Sequence, residues 1–322
     1  MNNLLEIHDL SVNYYTENGI VQALDKINIY LKKGEVVAIV GESGCGKSTL
    51  GKAILNLVPF PAGRVVEGKI TFSDENILEM SDDECNSKIR GKKITIIPQD
   101  PFSSANPLFT IGAQLKDIFK NTQKDIKNIK IDVCDIFNKM QLPADKSLLK
   151  KYPHEMSGGQ LQRIMIAASI LPNPQLIIAD EPTTSLDVTV EAQILNLFRN
   201  IVNINKVAVI YITHNLAVAK KVSNRIIVVY AGQVMESAPT ELFFKKTIHP
   251  YAQKLLECLP SKEKEIKDIG GSVPNLIEPP KGCRFSPRCE IADDICHSKK
   301  PIMKQIEEDH FVSCHQIDTN YE

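Results

Sequence analysis

Gly41-Glu42-Ser43-Gly44-Cys45-Gly46-Lys47-Ser48 fits the pattern G-x-x-x-x-G-K-S at every fixed position. The apolar run Val36–Val40 precedes this stretch, and Thr49–Leu55 has the composition of a helix. A strand, a glycine-rich turn and a helix in this order direct backbone N–H groups and the positive end of a helix dipole at a phosphate. The competing interpretation is an ordinary glycine-rich turn with a chance Lys-Ser pair. The flanking strand and helix favour a nucleoside triphosphate site, with Lys47 on the outer phosphates and the Ser48 hydroxyl on Mg²⁺.

The bulk composition limits the class of protein. The 322 residues are 43% hydrophobic and 24% charged, with a formal net charge of -1, so no global basic field points to nucleic acid as a partner. The segment Met1–Glu6 has no basic region followed by an apolar core, which argues against a secretory signal. No apolar stretch approaches the ~18 residues expected of a membrane span. We therefore expect a cytoplasmic protein, with docking on a membrane protein left open.

Strand and helix patterns alternate along the chain. The strand candidates are short apolar runs at residues 4–10, 27–31, 68–72, 93–98, 176–179, 207–212 and 226–230. A helical pattern covers about 110–150, and a further helix is expected at 160–171. This order predicts an α/β fold with a mixed sheet and helices, a β-rich N-terminal subdomain and a helical insertion at about 100–170. Residues 259–282 are charged and rich in Pro and Gly, which is typical of a linker.

Two acidic residues end one of these runs. Leu176–Ala179 is followed by Asp180 and Glu181, and the C-terminal ends of strands in such sheets face the ligand crevice. Asp180 can hold Mg²⁺ through its water shell, and Glu181 is placed to orient or polarise an attacking water. The competing interpretation is an acidic turn that caps the next element. The phosphate loop in the same chain favours the catalytic interpretation.

A second glycine-containing stretch opens the helix expected at 160–171. In Ser157-Gly158-Gly159-Gln160, the serine and the glutamine three residues later form a capping-box pattern. The stretch could therefore be only a good helix start. The two glycines also allow a backbone to approach a phosphate closely at a helix N-terminus, which is an anion site.

The order of these motifs resembles the ATP-binding cassette (ABC) family over roughly residues 4–240: the phosphate loop, Ser157–Gln160, Asp180-Glu181, Ser185-Leu186-Asp187 and His214. The resemblance implies a phosphate-loop ATPase core that works as a head-to-tail dimer with two ATP molecules at the interface. Each ATP would contact the loop residues Gly41–Ser48 and Thr49 of one subunit and Ser157, Gly158, Gly159 and Gln160 of the other.

The resemblance also implies roles for single residues. Gln99 resembles the glutamine that contacts Mg²⁺ and water, and His214 resembles the switch histidine that contacts the γ-phosphate. Asp187 resembles the loop aspartate that couples the two sites of the dimer. Tyr14 resembles the aromatic residue that stacks on adenine, with Tyr15 as the rival and a core tyrosine as the plain alternative. The catalytic set implied by the family is then Glu181, His214 and Gln99, with Ser48, Gln99 and Asp180 on Mg²⁺.

Further stretches narrow the resemblance to the ATP-binding subunits of oligopeptide and dipeptide importers. They are residues 98–107, 152–159, 230–236, 249–256 and the tail from Gly282 to His315. Nickel importers share much of this pattern, so the solute stays open. The resemblance implies a homologous or identical ATPase partner, two transmembrane permease subunits and, indirectly, an extracytoplasmic solute-binding protein, with the chain on the cytoplasmic face of the membrane. Met156 and Asn215 stand where leucine and aspartate are commoner in the group.

Four of the eight cysteines crowd the tail: Cys283, Cys289, Cys296 and Cys314. In a reducing compartment such a cluster indicates a metal site sooner than disulfides. Some members of the resembled group bind a [4Fe–4S] cluster here, and we expect one in this chain. Zn²⁺ is a weaker alternative because no Cys-x₂₋₄-Cys pair occurs, and plain thiols are a third. An iron–sulfur-bearing regulatory protein that binds ATP is the rival function.

The expected organisation has two parts. Residues 1–245 form the nucleotide-binding domain, and residues 246–322 form a C-terminal extension with the linker at 259–282 and the cysteines at 283–314. A cassette protein acting on ribosomes or DNA is disfavoured, because such proteins typically carry two cassettes or long coiled-coil insertions and neither is visible here.

Overall fold

A computed structural model describes residues 3–120, 136–142, 146–183, 188–259 and 269–319. The chain forms two compact units. The first comprises Met1–Lys32, Val36–Glu79 and Ile212–Glu322, and the second comprises Lys33–Glu35 and Met80–Tyr211. Within the described ranges, no helix combines the length and the apolar character needed to cross a bilayer.

The N-terminal part of the first unit is a four-stranded antiparallel sheet. Its strands lie in the order Gly19–Leu31, Leu5–Thr16, Gly63–Phe72 and Glu75–Asn76. Leu5 lies opposite both Leu31 and Phe72, and all three side chains are buried. The β-rich N-terminal subdomain is confirmed, and its strands are longer than the apolar runs suggested because bulges let pairing continue through polar residues.

A second set of strands in the first unit leads to the phosphate loop. The order is Lys304–Glu307, His310–Val312, Gln233–Pro239, Arg225–Tyr230 and Val36–Val40. The first three pairings are antiparallel, and the pairing of Arg225–Tyr230 with Val36–Val40 is parallel. Every residue of Val36–Val40 is buried, as expected of a central parallel strand. The tail strand His310–Val312 pairs with Gln233–Pro239, a relationship that the sequence did not indicate.

The helices of the first unit are Lys47–Ile54, Leu216–Val222, Thr240–Lys245, Pro250–Glu257 and Asp294–Ser298. An aromatic cluster packs the last part of the chain into this unit. The ring centroids of Tyr230 and Tyr251 lie 4.5 Å apart, and Phe285 lies 5.3 Å from Tyr230 and 5.2 Å from Tyr251. All three residues are buried, so the segment around Phe285 belongs to the hydrophobic core. The domain boundary after residue 245 stays a prediction.

The second unit contains parallel strands and most of the longer helices. Ile94–Ile97 pairs in parallel with Leu176–Asp180, and Ala208–Thr213 follows in the sheet, its last two residues assigned to the first unit. The helices are Asp82–Glu84, Pro101–Ser104, Ile111–Lys120, Lys146–Lys150, Gly158–Ile170 and Val188–Asn205. The α/β class is confirmed. Part of the helical insertion falls on residues 121–135 and 143–145, which lie outside the described residues.

Candidate functional site

The phosphate loop requires glycine at two positions for different reasons. A Cβ on Gly41 would lie 2.1 Å from the carbonyl oxygen of Val229. Gly46 has a φ of +99°, and a Cβ there would lie 2.5 Å from the carbonyl oxygen of Ala23. The helix Lys47–Ile54 begins directly after Gly46, with no side-chain cap on its first N–H groups. A helix start of this kind suits an anion.

The Lys47 side chain folds back onto the backbone of its own loop. Its ammonium donates to the carbonyl oxygen of Gly41 at 2.8 Å and to that of Glu42 at 2.9 Å, and lies 3.7 Å from Sγ of Cys45. The lysine is only 5% exposed. Burial raises the pKa of the Cys45 thiol, partly offset by Lys47, so the thiol is protonated at neutral pH and the loop carries no thiolate.

The other predicted residues near the loop differ in exposure. Ser43, Gly44 and Ser48 are exposed, and Thr49 is half-buried in the first turn of the helix. The hydroxyl of half-buried Tyr14 lies 3.5 Å from Oγ1 of Thr49. Tyr15 is exposed, and the guanidinium carbon of Arg64 lies over its ring, 5.5 Å from the ring centroid. Of the two rivals, Tyr14 is therefore the one that contacts the phosphate-loop helix.

His214 and Asn215 follow the strand Ala208–Thr213 in the first unit. His214 is exposed. Asn215 caps the helix Leu216–Val222: its side-chain oxygen accepts from the N–H of Ala217 at 2.9 Å and of Val218 at 3.4 Å. Its own N–H donates to Oγ1 of Thr213 at 3.0 Å. Asparagine thus makes the cap that an aspartate would make, without adding a negative charge beside His214.

In the second unit, Gln99 and Glu181 are brought together. Nε2 of Gln99 donates to Oε2 of Glu181 at 3.3 Å. Asp180 ends the strand Leu176–Asp180, and Glu181 turns the chain with a φ of +44°. A left-handed backbone is uncommon for glutamate, and such conformations cluster at functional sites. The side-chain oxygens of Gln99 and Asp180 are of the kind that Mg²⁺ prefers.

Ser157 makes a complete capping box. Its hydroxyl accepts the N–H of Gln160 at 3.3 Å, and Oε1 of Gln160 accepts the N–H of Ser157 at 3.2 Å. A Cβ on Gly158 would have nothing closer than 3.8 Å, whereas one on Gly159 would lie 3.0 Å from Cγ1 of Val190. The structural interpretation of this motif is confirmed, and its contact with a nucleotide on a partner subunit stays a prediction. Asp187 lies outside the described residues.

Sequence reasoning missed the residues that hold Glu42. Arg288 in the tail donates from Nη1 to Oε2 of Glu42 at 2.8 Å and from Nη2 to Oε1 at 3.2 Å. The hydroxyl of Tyr251 accepts the N–H of Glu42 at 3.0 Å. Both residues lie in stretches noted for the family resemblance, but ion pairs between distant segments leave no pattern in a sequence.

The tail cysteines do not support the expected iron–sulfur cluster. Among the described residues, no group of three or more His, Cys, Asp or Glu side chains is arranged to hold a metal ion. Cys283, Cys289, Cys296 and Cys314 are free thiols. Burial raises the pKa of Cys283 to about 11, and the neighbouring thiols of Cys314, Cys289 and Cys296 add to the shift. The four thiols therefore lie close enough to influence one another, and nothing in the described residues supports the expected iron–sulfur cluster or the Zn²⁺ alternative.

Two protein families match the sequence. Residues 24–184 match the family described as ABC transporter, and residues 235–296 match the family described as oligopeptide/dipeptide transporter, C-terminal region. The first match contains the phosphate loop, Gln99, Ser157–Gln160 and Asp180-Glu181, and the second contains Tyr251, Arg288 and three of the four tail cysteines.

Curated relatives extend over almost the whole chain. The oligopeptide transport ATP-binding protein OppD of Bacillus subtilis is 39% identical over 314 residues, covering 96% of this chain and 87% of that protein. The dipeptide transport ATP-binding protein DppD of Escherichia coli is 39% identical over 316 residues, covering 97% and 96%. Among solved structures, the dimeric ATP-binding cassette MJ0796 in a post-hydrolysis state with ADP and Pi has a TM-score of 0.65 and 26% identity, covering 73% of this chain and 98% of that one.

Proposed function

This chain belongs to the ABC transporter family, among the oligopeptide and dipeptide transport ATP-binding proteins, and we propose that it hydrolyses ATP to drive peptide import across a membrane. The observation that carries the proposal is the phosphate loop. Glycines that tolerate no side chain precede an uncapped helix start, and Lys47 lies inside the turn. This arrangement suits a polyphosphate, and the two relatives, matched over 87% and 96% of their length, are named for peptide transport.

In the proposed reaction, water attacks the γ-phosphorus of ATP, the bond to the bridging oxygen breaks, and ADP and phosphate leave. Lys47 would neutralise charge on the transferred group, and His214 would contact the γ-phosphate. Glu181 would orient the attacking water, and Gln99 would orient the Glu181 carboxylate. Tyr14 would stack on the adenine. Mg²⁺, held through oxygen ligands of Ser48, Asp180 and Gln99, would add charge neutralisation on the phosphates.

The proposed working unit contains more than this chain. Ser157, Gly158, Gly159 and Gln160 would contact the ATP bound by a second ATPase subunit, either a homologue or a second copy, and Asp187 would couple the two ATP sites. This chain would lie on the cytoplasmic face of the membrane, where dimer closure on ATP would move two transmembrane permease subunits. These subunits would receive solute from an extracytoplasmic binding protein. The dimeric state of the cassette MJ0796 supports such an assembly.

Peptides are the proposed solute because the two relatives described above, OppD and DppD, are named as oligopeptide and dipeptide transport proteins. Deletion of the gene in the source cell should abolish uptake of labelled dipeptides or longer peptides. The wild-type gene should restore uptake, and a gene encoding Lys47→Ala should not. Loss of nickel uptake with normal peptide uptake would favour the nickel importer instead. Purified wild-type chain that binds no ATP would overturn the proposal.

A further inference from the structure

Arg288 is held in one orientation by contacts on all its nitrogen atoms. Besides its two bonds to Glu42, Nε donates to the carbonyl oxygen of Gly270 at 2.7 Å, and Nη1 also reaches the hydroxyl of Tyr230 at 3.2 Å. The Arg288 side chain is 5% exposed and that of Glu42 is 27% exposed. A planar guanidinium bound on both edges holds a carboxylate in one place and one orientation.

Glu42 is the point at which the tail reaches the phosphate loop. Its carbonyl oxygen accepts from Lys47 at 2.9 Å, its N–H donates to Tyr251 at 3.0 Å, and its carboxylate binds Arg288. The backbone that binds the loop lysine is therefore fixed through contacts from residues 251 and 288. Any displacement of Glu42 would move the oxygen that Lys47 now contacts.

The charge of Glu42 poses a problem for a polyphosphate ligand. A carboxylate one residue beyond Gly41 repels the phosphates that the loop is built to bind, and the repulsion is strong where solvent is partly excluded. The guanidinium of Arg288 neutralises this charge, with Nη1 2.8 Å from Oε2 of Glu42. Without Arg288, the loop would carry an uncompensated negative charge beside its lysine.

We propose that Arg288 is a positioning residue for ATP, which neutralises Glu42 and fixes the phosphate loop in its binding conformation. The inference rests on the proposed function, because it assumes that the loop binds ATP. It gives the C-terminal region a direct part in nucleotide affinity. By linkage, bound nucleotide stabilises the contact between residue 42 and residue 288 to the same extent.

The test is a charge cycle on the purified full chain, with trinitrophenyl-ATP as the fluorescent probe. Arg288→Ala should raise Kd about tenfold, equivalent to about 1.4 kcal/mol. Glu42→Gln should lower Kd, because the Arg288 guanidinium is then no longer neutralised and its positive charge beside the loop attracts the phosphates. The double variant restores the net charge of the loop and should recover part of the affinity lost in Arg288→Ala. The part not recovered reflects the lost positioning of the loop by residue 288. Arg288→Lys should lie between wild type and Arg288→Ala, since it keeps the charge but loses the two-pronged contact.

The matched control is Lys254→Ala. Lys254 binds Glu290 at 2.6 Å, so this variant removes the same charge and also breaks an ion pair between the Pro250–Glu257 helix and the tail. It does not touch Glu42 and should leave Kd unchanged. Raising the ionic strength should shrink the difference between Arg288→Ala and wild type. Thermal unfolding without nucleotide identifies any variant that fails to fold.

Three results would overturn the inference. They are an Arg288→Ala protein that folds and binds as wild type does, a double variant as weak as Arg288→Ala, and an equal loss of affinity in Lys254→Ala. The proposed function fails separately, if wild type binds no more probe than Lys47→Ala. The Lys47→Ala comparison therefore distinguishes a failure of the nucleotide site from a failure of the role of Arg288.

Discussion

Nε2 of Gln99 lies 3.3 Å from Oε2 of Glu181. The two residues follow neighbouring parallel strands, Ile94–Ile97 and Leu176–Asp180, so the sheet brings both side chains to the same edge. Glu181 has a left-handed backbone conformation directly after the strand. A carboxylate held by an amide donor in this way is suited to orient a water molecule.

Glu181→Gln should keep ATP binding and lower hydrolysis by at least about 100-fold, because the amide cannot accept a proton from the attacking water. Single-turnover hydrolysis and probe binding measure the two effects separately. The substitution should also stabilise the ATP-bound dimer, which size-exclusion chromatography with ATP would detect. Asp82→Asn removes an exposed carboxylate of the same unit and serves as the control. Unchanged turnover in Glu181→Gln would refute the role of this residue.

The sequence predicted that Gln99 and Glu181 each follow a strand, but not that their side chains meet, nor the backbone conformation at Glu181. Their positions follow from two apolar runs that end in polar residues, and parallel strands share an edge. The left-handed φ has no local cause in the sequence, since glutamate rarely adopts it and the following Pro182 favours extended backbone. The φ of Glu181 is imposed by the surrounding fold, and a short segment of the sequence carries no information about that environment.

His249 should make stability depend on pH. Burial lowers its pKa to about 3, and Nδ1 accepts the N–H of Tyr251 at 3.0 Å at the start of the helix Pro250–Glu257. Below its ordinary pKa of about 6.5, the unfolded chain binds a proton that the folded chain does not. Stability should therefore fall as pH falls from about 6.5 towards 3, by up to about 1.4 kcal/mol per pH unit.

Urea unfolding of wild type and His249→Asn between about pH 7 and 4.5 measures this effect. Asparagine keeps an acceptor at the helix start and removes the titration, so its curve should be flatter. The exposed His154→Asn provides a control that should retain the wild-type slope. Parallel curves for wild type and His249→Asn would contradict the prediction.

Asp25 should be needed to keep Arg284 in the core. The Arg284 side chain is fully buried and donates to Oδ2 of Asp25 at 2.9 Å and to Oε1 of Gln22 at 3.1 Å. Asp25→Asn would leave a buried cation without its counter-charge and should lower the free energy of unfolding by about 3 kcal/mol. Lys300 also binds Asp25, at 2.7 Å, but is half-exposed. Lys300→Ala should therefore cost less than about 1 kcal/mol, and equal losses in the two variants would refute the assignment.

The tail thiols should react at different rates. Cys283 is 8% exposed with a raised pKa, whereas Cys289 and Cys314 are partly exposed. Iodoacetamide should modify Cys283 more slowly than Cys289 or Cys314 in the native protein, and all at similar rates in urea, as resolved by mass spectrometry. Stoichiometric iron and acid-labile sulfide in anaerobically purified protein would contradict four free thiols and restore the cluster expected from the sequence.

The tail shows where sequence patterns stop being informative. Spacing identified the four cysteines as a group, and the structure does place them in one neighbourhood. Spacing alone does not fix where Sγ atoms point, and the metal expectation required that geometry. The same stretch contains Arg284 and Arg288, whose partners lie at residues 25 and 42. Those contacts depend on the folding of the tail against the first unit and could not be read from residues 283–289.

The two carbonyl contacts of Lys47 fix the lysine to the backbone of its own loop. The ammonium donates to carbonyl oxygens of Gly41 and Glu42, so an anion bound in the loop would share this lysine with the protein's own backbone. A single inorganic phosphate can contact few loop N–H groups, whereas a triphosphate chain can contact several at once. The loop should therefore favour polyphosphates over small inorganic anions through the number of its backbone contacts, independently of any contact with adenine.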